Sequence, residues 1–176
     1  MIILGVTGSV GMGKTEAGKY FIKNNIDVFD CDREIGAFYN KKDTIIEIKK
    51  KFPSTIFNNK IDKNVLANIV FNDNEKLKLL EELLYKKLKA EQSLWLRKKI
   101  REKKKVLVFD VPLLFEKDKI NKYDIIVVLS CNKALQKRRV LKRKGWSEDR
   151  YEKTLKEQTP DYIKQTLADI VIKSDR

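Results

Sequence analysis

The chain has no histidine and only two cysteines among its 176 residues. Without histidine there is no Ser-His-Asp or Cys-His nucleophile and no imidazole ligand for zinc. Cys31 and Cys131 allow at most one disulfide and fall short of a four-sulfur metal site. Free thiols in a reducing compartment are therefore expected, with any metal held by oxygen. Three prolines and seven glycines are too few for collagen, mucin or a flexible linker. No apolar run approaches the roughly 20 residues of a membrane span, and Ile2–Val6 is too short for a secretory leader, so the expected location is the cytoplasm.

Acidic residues are the minority, 25 against 39 lysines and arginines, for a net charge of +14. Most of the excess is lysine on predicted helices, such as Lys98, Lys99, Lys103, Lys104 and Lys105, with no interleaved aromatics to stack bases. Solvated helix faces account for it, as does a field that attracts a polyanion, and a small polyanionic substrate fits the second reading as well as nucleic acid does. With 42% hydrophobic and 36% charged residues, the chain can bury a core and folds as one domain with a small insertion.

Met1–Val6 is a short continuous apolar run of the kind buried on both faces of a parallel sheet. A glycine-rich turn follows, then a helical pattern from Lys14 to Asn24, then a strand from Ile26 to Phe29, which together make a βαβ unit. Residues 33–103 read as a helical insertion, including Asp62–Phe71 and a stripe of Leu77, Leu80, Leu84 and Leu88. Strands resume at Val106–Phe109 and Asp124–Leu129. A helix follows from Asn132 to Arg143, a helix start at Ser147, and a last strand at Ala168–Ile172.

Gly8-Ser9-Val10-Gly11-Met12-Gly13-Lys14-Thr15 fits the phosphate-binding pattern G-x-x-x-x-G-K-[ST], after a buried strand and opening a helix, as the mechanism requires. Glycines let backbone N–H groups turn toward phosphate oxygens and the helix N-terminus adds its positive end. Lys14 reaches the β- and γ-phosphates and the Thr15 hydroxyl ligates Mg²⁺.

Loops at the carboxyl ends of the other strands must decide what is done with the nucleotide. Asp32 follows the second strand, where a carboxylate aligns or deprotonates an attacking hydroxyl; Asp30 or Asp32 equally suits a helix cap. Asp110 ends the next buried strand, in the position of a carboxylate in the Mg²⁺ shell or of a turn former before Pro112. Arg138, Arg139, Arg143 and Arg150 cluster in a lysine-rich chain, as a mobile lid over phosphates or as a solvated basic face. Asn132-Lys133-Ala134-Leu135 lacks the aspartate of a guanine-reading motif, which disfavours a switch GTPase.

The ordered set resembles the dephospho-CoA kinase family nearly along the whole chain. Leu4–Thr15 is similar to its leading strand and P-loop, Asp30-Cys31-Asp32 to its Asp-Ala-Asp signature, and Val111-Pro112-Leu113-Leu114-Phe115-Glu116 to its Pro-Leu-Leu-x-Glu signature. Gln136, Arg139, Arg143, Gln158 and Ala168–Ile172 fall at the family's spacings. Departures are Gly36 in place of a basic residue, Tyr85-Lys86 in place of His-Pro, and Ser174 in place of Asn.

The resemblance implies an α/β fold, a P-loop parallel sheet flanked by helices. A nucleotide-binding core spans 1–32, 104–137 and 166–176, a helical acceptor domain 33–103 and an arginine-bearing lid 138–165. It implies transfer of the ATP γ-phosphoryl to the ribose 3′-hydroxyl of dephospho-CoA. Asp32, Lys14 and Arg139 are then catalytic, and Gly8, Val10, Gly11, Met12, Gly13, Lys14, Thr15, Glu16, Arg139 and Arg143 bind the nucleotide. Thr15 and, through water, Asp110 hold Mg²⁺. The expected partners are ATP and dephospho-CoA, with no nucleic acid or membrane, and the expected state is a monomer. The alternatives are a nucleoside monophosphate-type kinase and, in a different class, a basic nucleic-acid-binding P-loop ATPase.

Overall fold

A computed structural model describes residues 1–116 and 120–175; residues 117–119 and 176 of the expected nucleotide-binding core lie outside the described residues. The chain begins with β1 (Ile2–Thr7), α1 (Lys14–Lys23), β2 (Asp27–Asp30), α2 (Cys31–Phe38) and α3 (Lys42–Lys51). A two-residue hairpin, β3 (Ile56–Phe57) and β4 (Lys60–Ile61), leads to α4 (Lys63–Phe71) and the long α5 (Asn74–Arg101). Then come β5 (Val106–Asp110), β6 (Ile125–Ser130), α6 (Lys133–Leu141), α7 (Glu148–Glu157), α8 (Asp161–Thr166) and β7 (Ile170–Lys173). Met1–Asp30 and Lys103–Arg176 form one compact unit and Cys31–Glu102 another. No helix among the described residues is long and apolar enough to cross a membrane.

In the first unit the apolar runs form one parallel sheet in the order β2-β5-β1-β6-β7. Such runs are what a strand covered on both faces requires, and Leu107, Val108 and Val128 are at most 1% exposed. Val6, Val108, Val127 and Leu129 pack with Met12, Ala17, Phe21 and Leu135. Elsewhere in the same unit Phe109 lies 5.4 Å from Phe29 and 5.8 Å from Tyr123, ring centre to ring centre.

One device recurs at two strand starts. Asp124, just before β6, accepts the Ile3 N–H at 2.7 Å and returns its own N–H to the Ile3 carbonyl at 2.9 Å. Asp169, just before β7, does the same to Ile126 at 2.7 and 3.0 Å. Each aspartate fixes the register of its strand against the neighbour. The last ladder consequently starts at Ile170, two residues later than the apolar pattern suggests, because Asp169 spends its side chain and N–H on this bond.

The second unit follows helix rules. Asp62 caps α4 through the N–H groups of Asn64 and Val65, and Asp73 caps α5 through those of Glu75 and Lys76. α5 runs 28 residues, about 42 Å, and buries Leu80, Leu83, Leu84 and Leu88. Lys87 on α5 bridges Asp43 and Glu47 of α3 at 2.6 and 2.8 Å. The hairpin turn uses Asn58 and Asn59, both with positive φ (47° and 58°), which asparagine tolerates better than most residues.

Candidate active site

β1 is the centre of the sheet: the chain leaves it toward β2 on one side and later crosses to β6 on the other. That reversal opens a crevice at the carboxyl end of β1, and residues 8–15 occupy it. Gly13 sits at the N-cap of α1 with φ 93°, and Gly11 has φ 81°, both conformations that need glycine. A Cβ on Gly11 would lie 2.7 Å from Val140 Cγ2 and 3.0 Å from the Gln136 carbonyl oxygen, so the loop is pressed directly onto α6. Lys14 Nζ reaches back across the loop and donates to the Gly8 carbonyl at 2.6 Å. Thr15 and Glu16 are exposed in the first turn of α1, where N–H groups point outward and the helix dipole is positive.

Two carboxylates end neighbouring strands. Asp30 of β2 and Asp110 of β5 are register partners, and Asp110 is in turn partnered by Val6 of β1. Val111 N–H donates to the Val6 carbonyl at 2.9 Å and Thr7 Oγ1 to the Pro112 carbonyl at 3.3 Å, which seats the 110–112 segment beside the root of the loop. α2 begins directly after β2, so Asp32 lies exposed in its first turn, two residues beyond Asp30, rather than before the helix as a cap. Asp30 belongs to the sheet unit and Asp32 to the helical one.

Of the arginines, the structure brings Arg139 to the loop. Its guanidinium donates to Ser174 Oγ at 3.0 Å and to the Ser174 carbonyl at 2.7 Å, and Ser174 Oγ donates to the Met12 carbonyl at 2.9 Å. Arg143 is exposed beyond the end of α6. Arg150 stacks over Trp146 at 4.6 Å and donates to the Gly145 carbonyl. Asn132, the decoy of the sequence, caps α6 by accepting the Leu135 N–H at 2.8 Å. The sequence singled out Ser174 as a departure after the last strand but not its bonds to Met12 and Arg139, and it did not single out Tyr151; a hydroxyl 162 residues away from the carbonyl it serves leaves no local signal.

Both cysteines are buried thiols, not joined in a disulfide. Cys131 is 7% exposed, its N–H donates to Met12 Sδ at 3.2 Å, and burial pushes its thiol up against the smaller pull of Arg139, so it stays protonated. In the helical unit an apolar cleft of about 310 Å³ is lined by Leu66, Val70, Phe71, Leu80 and Tyr39 and rimmed by Lys63.

A parallel sheet of this order, with a glycine loop, lysine and threonine at its reversal point and carboxylates on the adjacent strand ends, defines a P-loop nucleotide-binding fold. The family model described as dephospho-CoA kinase matches residues 2–176. The dephospho-CoA kinase of Bartonella quintana is 34% identical over 176 residues, covering 100% of this chain and 90% of its own. That of Agrobacterium fabrum is 33% identical over 174 residues, covering 99% and 89%. Among solved structures, TT1252 from Thermus thermophilus is 26% identical, covers 99% of this chain and 89% of its own, and superposes with a TM-score of 0.87. A dephospho-CoA kinase from Campylobacter jejuni, 23% identical with coverage of 99% and 88% and a TM-score of 0.72, has the same fold. The chain belongs to the dephospho-CoA kinase family, ATP-dependent kinases that carry out the final step of coenzyme A biosynthesis.

Proposed function

We propose that residues 8–15 hold the ATP triphosphate, that Asp32 serves the acceptor hydroxyl, and that the helical unit recognises dephospho-CoA. The observation that carries this reading is the left-handed glycine loop at the end of β1, closed by Lys14 and flanked by the strand-end carboxylates. Loop amides and Lys14 neutralise the β- and γ-phosphates, which matters because phosphoryl transfer needs positioning and charge compensation more than covalent help. The ribose 3′-hydroxyl attacks the γ-phosphorus in line, the bond to the ADP oxygen breaks, and the hydroxyl proton leaves to Asp32 or to water aligned by it.

Mg²⁺ fits the donor set. Thr15 offers a hydroxyl and Asp110, through water, a carboxylate, both hard oxygen donors of the kind that would hold Mg²⁺. When bound it neutralises charge on the β- and γ-phosphates. Arg139 and Arg143 compensate charge on the transferring group, and segment 138–165 acts as a lid that excludes water. The acceptor carries a long uncharged arm, which the apolar cleft of the helical unit suits, its rim holding one base and one acid, Lys63 and Glu81. The reading needs one chain, no nucleic acid and no membrane, and it locates the protein in the cytoplasm.

Two substitutions separate the roles. Asp32→Asn should leave the ADP dissociation constant within about twofold while lowering kcat by about 10²- to 10⁴-fold, the range of a general base. Lys14→Ala should weaken ADP binding and turnover together. Equal loss of binding and turnover in Asp32→Asn would make that aspartate structural, and an unaltered Lys14→Ala protein would remove the donor site from residues 8–15.

A further inference from the structure

The apex of the phosphate loop has little bonding of its own: Met12 N–H reaches the Ser9 carbonyl at 3.2 Å, and the Val10 peptide groups turn elsewhere. Val10 N–H donates to Gln158 Oε1 at 3.1 Å, and the Val10 carbonyl accepts from Gln136 Nε2 at 2.8 Å. Both amide orientations follow from their partners, since a backbone N–H only donates and a carbonyl only accepts. Gln136 is 4% exposed, and its Oε1 accepts the hydroxyl of Tyr151, which is fully buried, at 3.2 Å. The segment after Gln158 is pinned in turn: Thr159 N–H donates to Glu116 Oε1 at 2.8 Å, and the fully buried Lys164 pairs with the same oxygen at 2.9 Å. The two glutamines stand 126 and 148 residues along the chain from the residue they grip.

We infer that Gln136 and Gln158 are positioning residues of the kinase reaction, a clamp that aims the loop amides at the donor phosphates by fixing both peptide groups of Val10. Tyr151 and Gln158 ride on α7 and its C-terminal end, inside the lid segment, so the same bonds make the donor affinity of the loop depend on where that segment rests. The inference rests on the reading of residues 8–15 as the ATP site. It also predicts an asymmetry that general packing does not. Gln158 acts on Val10 only as an acceptor, so glutamate can replace it. Gln136 is donor to Val10 and acceptor from Tyr151 at once, so glutamate there sets a carboxylate against a carbonyl oxygen.

The test compares the parent with Gln158→Glu, Gln158→Leu and Gln136→Glu, with Tyr151→Phe as a milder probe should Gln136→Glu not fold. The readouts are ADP affinity by calorimetry, KM for ATP, KM for dephospho-CoA, and Tm. Gln158→Leu and Gln136→Glu should weaken ADP and raise the KM for ATP about tenfold, the scale of one lost hydrogen bond to a positioned amide, with the acceptor KM unmoved. Gln158→Glu should stay within about threefold of the parent, and Tyr151→Phe should lose less than Gln136→Glu. Equal behaviour of Gln158→Glu and Gln158→Leu overturns the clamp, as does a fall in Tm with unchanged ADP affinity. A parent protein that does not bind ADP overturns the donor reading itself, and the clamp with it.

Discussion

The two units solve different problems with different bonds. In the sheet unit the surface proposed to meet the donor phosphates is backbone, the N–H groups of the Gly8–Thr15 loop. That loop is held by side chains from far along the chain, Gln136, Gln158 and Ser174, and its apex glycine has no space for even a methyl group. In the helical unit, local caps at Asp62 and Asp73 and an apolar stripe on α5 set the shape, and Gly36 has nothing within 4 Å of where a Cβ would stand. Where the backbone itself is the recognition surface, distant residues must specify it; where side chains present the surface, helix rules suffice.

Gly11→Ala should give the largest break in this comparison. The residue has φ 81° and the new Cβ meets Val140 and the Gln136 backbone, so a loss of about 2–3 kcal/mol and of measurable ADP binding is expected, read by urea melts and calorimetry. Full binding in that variant would mean the loop is not confined as described.

Glu116→Gln should come next. It strips the buried Lys164 ammonium of its counter-charge, with an expected cost of about 3 kcal/mol at neutral pH. Burial alone would raise the Glu116 carboxyl, but the Lys164 ammonium and the N–H groups of Glu116 and Thr159 outweigh it and hold it below its ordinary value. A depressed native value means that stability from this group is complete above the ordinary carboxyl range and fades as pH falls through the native value. The gap between parent and variant in denaturant melts should therefore be widest near neutrality and narrow in acid. A gap that widens in acid would reverse the assignment.

Gly36→Ala marks the small end. Inside α2 with open space around it, alanine should stabilise by about 0.5–1 kcal/mol, seen as a modest rise in Tm. Its contrast with Gly11→Ala is the comparison in one experiment, the same added methyl group with opposite signs.

The parts of the molecule visible in the sequence are those governed by neighbours a few residues away. The apolar runs at Ile2–Val6, Val106–Phe109 and Ile125–Leu129 announce buried parallel strands, and the spacing of Leu80, Leu84 and Leu88 announces a helix face. The P-loop was legible because its chemistry compresses into eight residues. The Arg139–Ser174–Met12 chain and the grip on Val10 were not, since their partners are joined only by folding. Asp124 and Asp169 lie between these cases. Asp-Ile-Ile-Val and Asp-Ile-Val-Ile are the same local pattern twice, and only the structure shows that each aspartate pins its strand to the one beside it. The hairpin at Ile56–Ile61 is too short for alternation to register, leaving the Asn58-Asn59 pair as its sole signal.

The most direct test of the whole account is acceptor-dependent ADP release from Mg-ATP, with dephospho-CoA set against AMP, CMP and water and the product weighed by mass spectrometry. The account predicts rapid ADP formation with dephospho-CoA alone and a product heavier by one phosphoryl group on the ribose. ADP formed equally with a nucleoside monophosphate, or with no acceptor at all, would contradict it.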